Sequence, residues 1–153
     1  MRFYFCAIGA MLALSMAACS SISIRTVDFG WPVEEVTTVS PANTITAIRY
    51  GLSFNVGKIA QKELQDSTAL RGTQLRVIRS NEGYYFVTGP RFKHVYVFNP
   101  LEAELSLESI IEVSKTGLNQ PALNLRAPYV QLSEAGSPSK LLSRKSIVEG
   151  NGK

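Results

Sequence analysis

Residues 74–98 read QLRVIRS, NEG, YYFVT, GPR, FKHVYVF. Three runs rich in Val, Ile, Tyr and Phe are separated by two three-residue connections, Asn81-Glu82-Gly83 and Gly89-Pro90-Arg91. β-Branched and aromatic side chains pack well on a pleated surface, and short connections carrying Gly close hairpins. The spacing therefore predicts a three-stranded antiparallel meander over 74–80, 84–88 and 92–98. That meander sets the expectation for the whole chain: a small, mainly β single domain, with a meander or sandwich-like sheet and one or two short helices.

Upstream, Ile48, Tyr50, Leu52, Phe54 and Val56 alternate with polar residues and glycine. Strict period two predicts a half-buried strand over 48–57, with Gly51 and Gly57 as positions for bends or bulges. Residues 58–64 (KIAQKEL) follow as a short helix that puts Ile59, Ala60, Glu63 and Leu64 on one side. Downstream, residues 99–114 carry two signals. Asn99-Pro100 with Glu102 has helix-start chemistry, yet Leu101, Ala103, Leu105, Leu107, Ile111 and Val113 share one parity. Strand is the better fit, because a helix would leave Leu105 outside. Residues 116–128, with Gly117, Pro121 and Pro128, read as an irregular loop, and 129–132 as a last strand. From residue 133 Ser, Gly, Pro and Lys dominate, which predicts a disordered basic tail over 133–153. Lys140, Arg144, Lys145 and Lys153 there would be solvated or would touch anionic lipid or peptidoglycan.

The chain has 153 residues, 45% hydrophobic and 18% charged, with sixteen basic residues against twelve acidic ones and a formal net charge of +4. This is an ordinary globular balance, too weakly basic for a dedicated nucleic-acid binder. Two cysteines and one histidine cannot close a four-ligand zinc site or build a multi-disulfide scaffold.

The amino terminus is more specific. Arg2 precedes an uncharged run from Phe3 to Ala18, after which Cys19-Ser20-Ser21 turns polar. One basic residue, an apolar stretch and then small residues is the layout of a secretory signal, and the run is short for a spanning helix. The stretch Leu14-Ser15-Met16-Ala17-Ala18-Cys19-Ser20 resembles the lipobox of bacterial lipoproteins. Ala17, Ala18 and Cys19 match that motif, whereas Met16 stands where Leu is commoner. The resemblance implies a signal peptide over 1–18 and acylation at Cys19. More than one acyl chain makes a stable bilayer anchor. Ser20, in place of the Asp that favours retention in the inner membrane, points to the outer membrane. Residues 19–43 would then be a tether passing into structure, in which Val33, Val36 and Val39 form a short strand or a turn. The β-rich domain would occupy 44–132.

No catalytic constellation emerges, and no enzyme, cofactor or metal is expected. His94 lies mid-strand beside Phe92 and Tyr96, with no nucleophile motif to serve; Gly51-Leu52-Ser53-Phe54-Asn55 lacks the final Gly of a nucleophile elbow. Glu102, Glu104, Glu108 and Glu112 read as one solvated strand face. Glu82-Gly83-Tyr84-Tyr85-Phe86-Val87 lacks the leading basic residue of an RNA-recognition strand. The remaining candidate is basic and aromatic. Eight basic residues lie between Arg49 and Lys93, opposed by Glu63, Asp66 and Glu82. If one sheet face is open, Tyr85 with Arg79, Arg91 and Lys93 would form a protein-binding patch. If both faces are covered, those charges only solvate the rim. The expected function is a structural or protein-interaction role in the cell envelope, as an accessory of a secretion or surface-assembly apparatus. The partners would be the lipid bilayer and an envelope protein. A small-molecule or glycan binding module is the alternative, with its pocket between 50–56 and the meander.

Overall fold

A computed structural model describes residues 33–102 and 104–148. The signal region, Cys19 and the last five residues lie outside them.

The meander is present as β4 (Gln74–Arg79), β5 (Tyr85–Thr88) and β6 (His94–Pro100), paired antiparallel in sequence order. β1 (Glu35–Thr38) joins one side and β7 (Leu105–Glu112) the other, giving the order β1-β4-β5-β6-β7. Residues 105–112 are thus strand, as their parity predicts. Asn99 and Pro100 extend β6 and do not start a helix; Leu101 N–H bonds the Glu104 carbonyl in the tight turn that follows.

The side chains of this sheet sort by parity into two cores. Leu75, Val77, Tyr85, Val87, Tyr96 and Phe98 face one layer, whereas Ile78, Phe86, Val95, Val97 and Ile111 face the other. All four residues of β5 are buried. A strand covered on both faces reads as a near-continuous apolar run, which is what residues 84–87 and 95–98 are.

The first layer consists of the hairpin β2 (Thr44–Ala47) and β3 (Leu52–Asn55) together with helix α1 (Gly57–Leu64). The single strand expected over 48–57 is therefore divided. A 3-10 turn, Ile48–Tyr50, ends at Gly51 in the left-handed conformation (φ 63°), and the chain reverses there. The glycine read as a bend is the hinge of a hairpin, because left-handed φ costs glycine little. α1 buries Ile59 and Ala60 and begins where the Asn55 side chain accepts the Gly57 N–H at 2.8 Å.

The second layer is a sheet in the order β11-β10-β9-β8, formed by β8 (Pro121–Arg126), β9 (Tyr129–Glu134), β10 (Ser137–Leu142) and β11 (Ile147–Val148). This corrects two expectations. Residues 121–126, read as loop, alternate Leu123 and Leu125 inward and pair with β9 from Pro121 to Arg126. Proline is tolerated there as the first residue of a strand. The tail read as disordered from 133 supplies the end of β9 and all of β10 and β11. Leu142 is 0% exposed, and Ile147 packs against the same core. The register between β10 and β9 shifts between Ser137 and Lys140, which accommodates Pro138 at an irregularity. The polar composition of this segment belongs to its outward face and its turns. Lys140 and Arg144 are likewise part of the fold: Lys140 Nζ donates to the Val113 carbonyl, and the Arg144 guanidinium donates to the Tyr84 hydroxyl at 2.8 Å.

Candidate functional site

Three polar features stand out on this scaffold. The first is Glu63, on the core-facing side of α1, whose side chain is wholly enclosed. Its Oε2 accepts the Lys93 backbone N–H at 2.7 Å. Its Oε1 accepts the Tyr96 hydroxyl at 2.6 Å and lies 2.8 Å from His94 Nδ1. One carboxylate thereby holds the helix to the start of β6 at three points. Burial, and then the hydrogen bond and charge of Glu63, push the Tyr96 phenol above the ordinary tyrosine range. The Tyr96 hydroxyl is consequently expected to stay protonated at pH 10, near which free phenols titrate. Its stabilising bond is complete below that pH and is lost only as pH rises toward the elevated folded value. Alkaline absorbance titration of wild type against Tyr96→Phe checks this. The two folded proteins should show the same tyrosinate step near pH 10, and an extra one-tyrosine step in wild type would contradict the geometry.

Chemically, this arrangement is a structural latch. His94 is oriented by a carboxylate, as in hydrolytic triads. Its other neighbours are Tyr96, 6.4 Å away ring to ring, and Glu112, its register partner on β7. Glu112 pairs with Lys115 at 2.7 Å, which with its hydrogen bond holds that carboxyl below the usual range. Among the described residues, no group of three or more His, Cys, Asp or Glu is arranged to hold a metal.

The second feature is a pinned turn at the point where the described chain begins. Both oxygens of Glu35 accept backbone N–H groups, from Ile48 at 2.8 Å and Arg49 at 3.0 Å. The Tyr50 hydroxyl donates to the Val33 carbonyl, and its ring meets Tyr85 edge-on at 5.6 Å. Glu34 faces inward, accepting from Arg76 and from the Leu123 N–H, each at 2.6 Å. Ile48 is left 83% exposed on this rigid turn, with the half-exposed Val36 close by.

The third feature is the outer side of β7, the last strand of the central sheet. Leu101 and Leu107 are each 50% exposed there. Glu102, Glu104, Glu108 and Glu112 are exposed with them. A cleft lined by Leu52, Phe54, Leu101 and Leu105 separates β3 from this turn.

The basic-aromatic patch expected from the sequence is not assembled as one surface. Tyr85 is only 7% exposed and belongs to the first core, with Arg79, its register partner, 5.9 Å from its ring centroid. Arg91 and Lys93 follow the opposite end of β5. Arg91 Nη2 reaches the Ala69 carbonyl at 3.2 Å, and the Lys93 N–H belongs to the Glu63 latch. Both faces of the sheet are covered, so Tyr85 packs and does not present. Between residues 50–56 and the meander, where a ligand pocket was considered, two aromatic contacts close the middle, and the cleft at Leu52, Phe54, Leu101 and Leu105 opens beside the end of β6. Phe54 meets Phe98 at 5.5 Å, and Tyr50 meets Tyr85 as described.

Glu63 was within reach of sequence reasoning. It falls on the apolar side of a short amphipathic helix, and an acid in that position needs donors. Glu34 and Glu35 left no such signal, because their donors come from residues distant in sequence.

No protein-family model matches the chain, and the searches of curated proteins and of solved structures found no match either.

Proposed function

We propose that the protein is a bacterial envelope lipoprotein, anchored through acylated Cys19, whose β-rich unit docks onto another envelope protein. The anchor rests on the stretch from Leu14 to Ser20 and its resemblance to a lipobox. The docking role rests chiefly on one observation: β7 and the turn before it carry exposed Leu101 and Leu107 together with exposed Glu102, Glu104, Glu108 and Glu112. A sheet edge carries backbone groups ready to pair with an added strand. Acidic flanks favour an extended partner segment that carries basic residues. The interior polar groups point the same way, since Glu34, Glu35 and Glu63 are all engaged in holding layers together. Anchoring raises the effective concentration at the membrane, so a short edge contact suffices for assembly.

The test is purification of the anchored protein in mild detergent, beside a Glu104→Lys/Glu108→Lys variant. Wild type should carry an envelope protein in fixed ratio. The charge-reversed variant should lose it while keeping the circular dichroism and unfolding midpoint of wild type. A wild-type protein that elutes alone, or a partner retained by the variant, overturns the docking reading.

A further inference from the structure

We infer that the turn Ile48–Tyr50 is a membrane-contacting element: Ile48, with Val36 beside it, meets the bilayer interface on which the protein is anchored. This rests on the reading of Cys19 as acylated.

Three observations carry it. The first is the arrangement of the apolar residues. Ile48 is 83% exposed, the highest value among the exposed large hydrophobic side chains of the described residues. Val36 adjoins it in a surface depression that Glu34, Glu35 and Arg49 also line. Ile is among the residue types most often fully buried.

The second is rigidity. Glu35 pins the backbone N–H groups of Ile48 and Arg49, and Gly51 closes the turn. Little conformational entropy remains to be lost when the side chain enters an apolar phase. The nearby acids, which share the depression beside Ile48, are both engaged in hydrogen bonds. Glu35 is committed to the turn, and Glu34 to Arg76 and the Leu123 N–H. Arg49 is exposed on the same turn, which suits the anionic headgroup level.

The third is place in the chain. Val33 is the first described residue after Cys19, and its carbonyl is tied to Tyr50. The span from Cys19 to Val33 reaches at most about 50 Å fully extended. The face that carries Tyr50 and the rest of its turn is therefore within reach of the anchor.

The experiment uses the full-length precursor, processed in bacteria and reconstituted into vesicles of phosphatidylethanolamine and phosphatidylglycerol. Ile48→Cys and Leu107→Cys variants carry an environment-sensitive fluorophore, and intact mass records acylation of Cys19 in each. With Cys19 acylated, the label at 48 should shift to the blue and lose at least half its intensity to bromine-bearing lipids, while the label at 107 stays unquenched. A protein that is acylated but unquenched at 48 overturns the membrane contact and leaves the anchor standing. If position 48 is shielded from aqueous quencher yet untouched by bromolipid, a protein covers the turn, which also overturns it. A mass without acylation removes the anchor and this inference together.

Discussion

Glu63→Ala is expected to lower the unfolding free energy by about 3–5 kcal/mol, the range for breaking a buried charged contact by removing one partner. The substitution strands the Lys93 N–H and the Tyr96 hydroxyl, and each buried unsatisfied group costs roughly 1–3 kcal/mol. It also removes the partner of His94 Nδ1. A domain of this size has about 5–15 kcal/mol in total, so the variant would sit near the edge of folding. Glu63→Gln keeps one carbonyl oxygen but turns an amide N–H₂ toward a donor, so its loss should be smaller but clear. Equilibrium urea unfolding reads both. A Glu63→Ala loss below about 1 kcal/mol, the scale of an ordinary exposed contact, would mean that α1 is held by Ile59 and Ala60 alone.

Leu142→Ala is the second large effect. Leu142 is 0% exposed and packs with Ile78, Phe86 and Val130 in the second core. Emptying such a site costs about 2–5 kcal/mol, depending on how far the surroundings collapse into the cavity. The same substitution in a disordered tail would cost nothing, so this variant decides between the folded segment and the composition-based expectation. The matched control is Leu107→Ala on the exposed β7 edge, which should change stability by no more than about 0.5 kcal/mol. Equal and negligible losses at both positions would contradict the packing of β10 against the central sheet.

These two positions also mark where the sequence was readable. The meander was legible because its signals are local: aromatic and β-branched runs, with short connections carrying Gly at 83 and 89. Helix α1 was legible from Ile59, Ala60, Glu63 and Leu64. The second layer was not. β8 and β10 begin or nearly begin with proline, and their buried Leu123 and Leu142 and part-buried Leu125 sit among Ser, Lys and Asn. Their strand character comes from pairing with β9 and packing on the central sheet, a tertiary effect that overrides weak propensity. The division of residues 48–57 was hidden for the opposite reason. A perfect alternation ran across Gly51, and only the left-handed turn breaks it. Of the expected patch, Arg79 does lie beside Tyr85, but Tyr85 is buried and Arg91 and Lys93 lie beyond the other end of β5. The runs at 84–87 and 95–98 are apolar on both parities, which is itself the mark of a sheet covered on both sides.

The state of Cys19 decides whether the protein is anchored, and one measurement reads it: the intact mass of the native protein recovered from bacterial membranes. The predicted result is a single mature species that begins at Cys19 and carries acyl chains, with Cys19→Ala recovered as the unprocessed precursor. A mature species with an unmodified Cys19, or a start at Ala18 from ordinary signal cleavage, would contradict it.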